Sequence, residues 1–145
     1  MKKLIFLFVC FWVVVATAMA SNDKSITVEQ LPPAARQFIK KHFATQTVAM
    51  AKMETDFMSK SYDVIFTNGD KLEFDKRGQW TDVDCEHSQV PADILPVAIR
   101  EYVGKMYPDV KVLQIEQTDR KGYDVELSNG LELKFDKKLN MIELD

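Results

Sequence analysis

The chain has 145 residues, of which 46% are hydrophobic, with 19 basic and 22 acidic side chains, two cysteines and a formal net charge of −3. It has no polybasic run, which argues against nucleic acid and anionic membrane surfaces as partners. No Gly-rich phosphate loop occurs among its five glycines, and the length suits one compact unit or two very small ones.

Lys2-Lys3, the apolar run Leu4 to Val15 and the small-residue site Ala18-Met19-Ala20 read as a secretory signal peptide over Met1–Ala20. The run is short for a membrane span, and Cys10 lies inside it rather than after it, unlike a lipoprotein cysteine. The expectation is a periplasmic or secreted protein with no membrane insertion after cleavage, and a single domain over 21–145. That part holds 17 basic and 22 acidic residues and one cysteine, Cys85, so it forms no internal disulfide. Cys85 reads as a small half-buried residue.

Ser21 to Ser25 is polar and reads as a frayed leader. Thr27 is placed to cap the approach to a first helix, which Leu31-Pro32-Pro33 opens; proline suits a first helical turn because its missing N–H costs nothing there. Ala34, Ala35, Phe38, Ile39, His42 and Phe43 fall at helical spacing, which predicts a helix over about Pro33 to Phe43. Thr47 to Asp56 then alternates as a strand, with Ala49, Ala51 and Met53 on one side and Val48, Met50, Lys52 and Glu54 on the other. Tyr62, Val64 and Phe66 alternate with Asp63, Ile65 and Thr67, Asn68-Gly69 follows, and Leu72 and Phe74 alternate again. Asn-Gly between alternating apolar runs predicts a hairpin and accommodates a type I′ turn. Asp75 to Gly78 is another turn, and Gln79 to Asp84 a short strand.

The pattern then restarts. Leu31-Pro32-x-Ala34-x-Arg36 returns as Leu95-Pro96-x-Ala98-x-Arg100, and Tyr62-Asp63-Val64 returns as Tyr123-Asp124-Val125. Asn68-Gly69 returns as Asn129-Gly130, and Leu72-Glu73-Phe74-Asp75 as Leu133-Lys134-Phe135-Asp136. The offset is 64 residues through the helix and first strand and 61 at the hairpin, so the first copy carries three extra residues near Phe57–Ser61. Leu113 and Ile115 are expected to face one way in the second copy's first strand. The fold class predicted is α+β: two tandem helix-plus-four-strand repeats, 31–84 and 94–145, forming one antiparallel sheet of about eight strands with both helices on one face. Each unit alone is small for an independent core.

Tyr62, Val64, Phe66, Leu72, Phe74, Tyr123, Val125, Leu127, Leu131, Leu133 and Phe135 are expected to face the helices. The opposite face has no element left to cover it and is the candidate binding surface. Trp80, Ile65, Met50 and Met141 are its expected apolar members, with Lys71, Glu73, Lys134, Asp63, Asp82, Glu116 and Asp124 among its polar ones, since interfaces draw on Trp and Met within a polar rim. A parity slip of one residue would instead put Trp80 in the core.

At these residues the chain resembles the PepSY-like proteins of the β-lactamase-inhibitor-like group, exported proteins of Bacteroidetes-type bacteria. The resemblance runs from about Leu31 to Asp145. It implies a concave sheet and a role in binding or restraining peptidases or other envelope proteins. β-Lactamase inhibitors of this topology use disulfides, which this chain lacks.

No catalytic constellation stands out, so a non-enzyme is expected. His42 reads as packed at a helix end, and Cys85-x-His87 lacks a neighbouring oxyanion hole. Cys85, Glu86 and His87 fall short of a zinc ligand set, and Asp75 to Asp84 lacks calcium-loop spacing; no cofactor is expected. The expected partner is another envelope protein or peptide. The alternative is a small-ligand or lipid carrier with a cavity between helices and sheet, against which the large inward residues argue.

Overall fold

A computed structural model describes residues 22–145; the expected signal peptide, Met1–Ala20, lies outside them. The elements in chain order are β1 (Lys24–Ile26), α1 (Pro33–His42), β2 (Val48–Thr55), β3 (Lys60–Phe66), β4 (Lys71–Asp75), β5 (Trp80–Asp84), α2 (Val97–Met106), β6 (Val112–Gln117), β7 (Tyr123–Leu127), β8 (Glu132–Phe135) and β9 (Met141–Leu144), with a 3-10 turn before each helix. The nine strands form one antiparallel sheet in sequence order, β1 to β9. The architecture is thus α+β, one strand larger than predicted. The extra strand is β1: Lys24, Ser25 and Ile26 pair with Met53, Lys52 and Ala51, so the N-terminal stretch read as frayed is tied to the sheet edge.

Each helix starts where proline permits it, with Pro33 in the first turn of α1 and Pro96 capping α2. Lys40, Lys41 and His42 end α1, where positive charge suits the helix dipole. Ala35 and Ile39 on α1, and Ile99 and Val103 on α2, are four residues apart and buried. Both helices lie on one sheet face: Phe38 meets Phe74 edge-on at 5.6 Å, Phe43 stacks on Phe66 at 5.2 Å, and Tyr102 meets Phe135 edge-on at 5.6 Å. Val64, Phe66, Leu72, Phe74, Val125, Leu127, Leu133 and Phe135 are buried beneath them as the alternation predicts.

Four β-bulges set which residues obey that alternation. Ala49 in β2, Thr81 in β5, Leu113 in β6 and Ile142 in β9 each stand as an extra residue against the neighbouring strand. An extra residue switches the face of everything beyond it. Val48 therefore pairs with Phe66 on the helix side, and Val112, not Leu113, shares that side with Ile115. Both results correct the simple two-residue alternation.

The hairpin turns also differ from the type I′ expectation. Only Gly69 of the Asn68-Gly69 pair has a positive φ, +95°. The Phe66 N–H donates to Asp70 O, and the Gly69 N–H to Phe66 O, which is a three-residue loop closed by a left-handed residue. The same bonding recurs around Gly78, Lys121, Gly130 and Leu139, all at positive φ.

Candidate binding face

The face away from the helices is read directly from the strand register. Lys52, Asp63, Glu73, Asp82, Glu116, Asp124, Lys134 and Glu143 are successive cross-strand partners from β2 to β9. Five carboxylates, Asp63 to Asp124, thus stand side by side, with a lysine at each end of the run. A second row runs Met50, Ile65, Lys71, Asp84, Gln114, Glu126 and Glu132. Opposed side chains in such rows sit about 5 Å apart at Cβ, and like charges so placed repel.

The electrostatics follow. Asp63 is only 5% exposed, and Lys71 Nζ reaches its carboxylate at 3.2 Å. Burial pulls the Lys71 pKa down, but Asp63 outweighs it and the net direction is up. Burial, then the Asp63 charge, pushes Glu73 above the ordinary carboxylate range. Asp82 is raised by burial and the Asp84 charge, against the hydrogen bond it accepts from Gln114 Nε2 at 2.9 Å. Burial and the charges of Asp82 and Asp124 raise Glu116. At the far end Lys134 binds Asp145 at 2.9 Å and Glu143 at 3.4 Å, and the Asp145 hydrogen bond chiefly raises its pKa. A depression of about 130 Å³ lies among Gln114, Glu116, Asp124, Glu126 and Glu132. A cleft of about 540 Å³ lies at one end, lined by Asp119, Arg120, Asp124, Lys134 and Ile142 among others.

Of the residues singled out from the sequence, Met50, Ile65, Lys71, Glu73 and Lys134 lie on this face, and Met50 pairs directly with Ile65. Trp80 does not. The Thr81 bulge sets Trp80 opposite Phe74, so it turns to the helix side, with ring centroids 6.5 Å from Phe38 and 6.2 Å from Tyr123. The Ile142 bulge likewise sets Met141 opposite Phe135 on that side. The predicted apolar cluster of four is therefore not assembled. In its place is the carboxylate row, whose members alternate with core residues along each strand and were individually placed, but not recognised as adjacent. The register across β5 and β6, strands separated by a helix, is what joins the two halves of the row.

Other candidates resolve structurally. Cys85 is fully buried, and burial, then the Asp70 charge, pushes its thiol up to about 12. His87 is exposed beside Gly69, so the two form no thiol–imidazole pair. His42 packs on Phe38 at 4.7 Å, and its Nδ1 lies 3.2 Å from the Asp93 carboxylate without hydrogen-bond alignment. Asp70, missed in the sequence, is fully buried. Its carboxylate accepts the His87 N–H at 3.1 Å, the Asn68 amide at 2.9 Å and the Ser88 hydroxyl, which fixes the segment between the halves. Among the described residues no group of three or more His, Cys, Asp or Glu is arranged to hold a metal ion, and no helix is long and apolar enough to cross a membrane.

Comparison with known proteins places the fold. The family model described as "Putative beta-lactamase-inhibitor-like, PepSY-like" matches residues 60–143. A crystal structure described as a "putative periplasmic protein" from Bacteroides vulgatus is 59% identical, with a TM-score of 0.83, covering 87% of this chain and 98% of that one. A "putative calcium-regulated periplasmic protein" from Bacteroides thetaiotaomicron is 58% identical, with a TM-score of 0.82, covering 85% and 96%. A third, a "putative periplasmic protein of unknown function" from Bacteroides vulgatus, is 41% identical, with a TM-score of 0.78, covering 85% and 98%. No match was found among functionally curated proteins. The sheet, the two helices and these similarities together make the chain a member of the PepSY-like, β-lactamase-inhibitor-like family.

Proposed function

We propose that the protein is an exported, non-enzymatic binding module that docks another envelope protein or peptide through its open sheet face, restraining what it binds, peptidases included. The observation that carries this reading is the unbroken run Asp63, Glu73, Asp82, Glu116 and Asp124 across five strands. Asp63 is buried and bound to Lys71, but Glu73, Asp82, Glu116 and Asp124 are open to solvent, and repelling carboxylates on a solvent face do not help the fold. Their side-by-side placement fits a surface that meets a complementary, basic partner, which such a field would also steer. The relatives described as periplasmic support the compartment. The carrier alternative is disfavoured because Phe66, Phe74, Leu72, Ile99 and Leu133 fill the space between helices and sheet.

We also read the chain as an internal duplication. The bulges at Ala49 and Leu113 are 64 residues apart and those at Thr81 and Ile142 are 61 apart, the same offsets that relate the sequence motifs.

The test is calorimetric titration of residues 21–145 with a Lys/Arg-rich peptide and an acidic peptide of the same length. The expected result is binding of the basic peptide alone, weakening with salt, and weakened by about tenfold in Asp82→Asn/Glu116→Gln. Ca²⁺, a ligand for carboxylate oxygens, is expected to compete; the relative described as calcium-regulated makes this arm pertinent. Failure of the basic peptide to bind at low salt, or equal binding to the double variant, would overturn the reading.

A further inference from the structure

Six hairpins join the strands, and five close with the same three-residue loop. The sixth, between β2 and β3, does not. Its last strand pair is Thr55 with Lys60, and the Asp56 N–H donates to Ser59 O, leaving Phe57 and Met58 at the apex. These two are 98% and 89% exposed. On one side β1 pairs no further out than Met53, and on the other β4 stops at Ser61, so the tip overhangs the sheet. The corresponding hairpin of β6 and β7 is shorter by three residues, Gln117 pairing with Tyr123 where Met53 pairs with Tyr62, and its turn is polar, Asp119-Arg120-Lys121. A polar turn therefore suffices to close this hairpin, and Phe57 and Met58 touch no core that would account for them.

We infer that the Phe57-Met58 tip is the anchor of the docking face, entering an apolar pocket of a protein partner whose adjoining surface is basic and covers the carboxylate row. This rests on the reading of the open face above. Distance permits it: Met58 precedes Asp63 by five residues on the same hairpin, about 17 Å at the rise of a strand. A standard interface covers roughly 800 Å² on each partner, a patch about 30 Å across, so one partner reaches both. Charge selects the class of occupant. The strand ends at the tip carry Glu54 and Asp56 against Lys60, a net negative charge, which disfavours an anionic lipid surface. An apolar tip of two side chains is also small beside a single acyl chain, which itself holds a protein to a membrane only marginally. Phe and Met are instead among the residues in which protein–protein interfaces are enriched, and Met adapts its shape to the pocket it enters.

The experiment uses two basic peptides of equal charge, one ending in a Trp-Leu cluster and one without it, titrated against residues 21–145. Wild type is expected to bind the apolar-ended peptide at least tenfold more tightly. Phe57→Ser/Met58→Ser should erase that difference, keep the affinity for the plain peptide and leave Tm unchanged. Asp82→Asn/Glu116→Gln should weaken both. If the tip variant binds both peptides as wild type does, the inference falls while the face reading stands. If the plain peptide fails to bind wild type while the tip-dependent difference persists, the face reading falls, and the inference that the tip anchors that face falls with it. Cosedimentation of wild type, but not the tip variant, with phosphatidylcholine vesicles would assign the tip to lipid and overturn the inference. So would a drop in Tm of the tip variant, which would make the apex structural.

Discussion

Asp82→Asn is expected to stabilise the protein at neutral pH. Asp82 is flanked across the strands by Glu73 and Glu116. Coulomb's law for charges about 5 Å apart gives roughly 0.8 kcal/mol per pair in water and about 3 at an effective dielectric of 20. Half-exposed carboxylates belong near the lower figure, consistent with the 0.2–1 kcal/mol scale of cross-strand pairs. Two pairs thus cost about 1–2 kcal/mol, and the neutral amide also escapes the burial penalty. Against this, the hydrogen bond from Gln114 loses its charge assistance, about 0.5 kcal/mol. The net gain is about 0.5–1.5 kcal/mol, or a Tm higher by about 2–8 °C for a domain of this size. The pH dependence fixes the sign. Glu73, Asp82 and Glu116 have folded pKa values raised above their ordinary values of 4.5, 3.8 and 4.5. The folded state therefore takes up protons more readily than the unfolded one, and stability falls as pH rises through this range. The variant's advantage should be full above the folded pKa values and vanish near pH 3, below the unfolded ones. Thermal unfolding from pH 3 to 8 measures this. A lower Tm at pH 7, or a gain unchanged at pH 3, would refute the argument that the row is held under repulsion.

Lys71→Met should cost about 1–3 kcal/mol in chemical denaturation, because it leaves the buried Asp63 carboxylate beside Glu73 without its cation; adding Asp63→Asn should recover most of the loss. Gly78→Ala should cost about 2–4 kcal/mol and Gly130→Ala about 1. Both glycines have positive φ, +80° and +86°, but a Cβ on Gly78 would meet Pro32 Cβ at 2.8 Å and the Ala35 nitrogen at 2.9 Å, while one on Gly130 meets nothing. Cys85, buried and with its thiol pushed up to about 12, should resist a thiol reagent at pH 8 and react at once in denaturant, as mass spectrometry would show.

The inward face was legible because its signal is redundant: Val64, Phe66, Leu72 and Phe74, with Val125, Leu127, Leu133 and Phe135, repeat one alternation that burial enforces. Trp80 and Met141 were misplaced because each precedes a bulge, at Thr81 and Ile142. Each bulge is set by pairing with the preceding strand, β4 or β8, and leaves no mark in the local pattern. The strand Lys24–Ile26 escaped notice because it is short, polar and held only by its neighbour β2. Asp63 and Lys71 were each read as surface residues. That one is buried and bound to the other follows only from the register of β3 against β4. The acidic row has the same origin: its charges are dispersed along the chain and become adjacent only across strands.

The sequential strand order has a kinetic consequence. Six of the eight strand pairings are between strands joined by a short turn, which form on the microsecond scale and keep contact order low. Two pairings, β1 with β2 and β5 with β6, must instead close a loop that contains a whole helix. Refolding should therefore show fast hairpin formation followed by slower closures. The β5–β6 closure is also the step that brings Asp82 beside Glu116. The charged face is thus finished late, when two zipped halves dock, and a chain caught before that step would carry two short acidic strips rather than one continuous row.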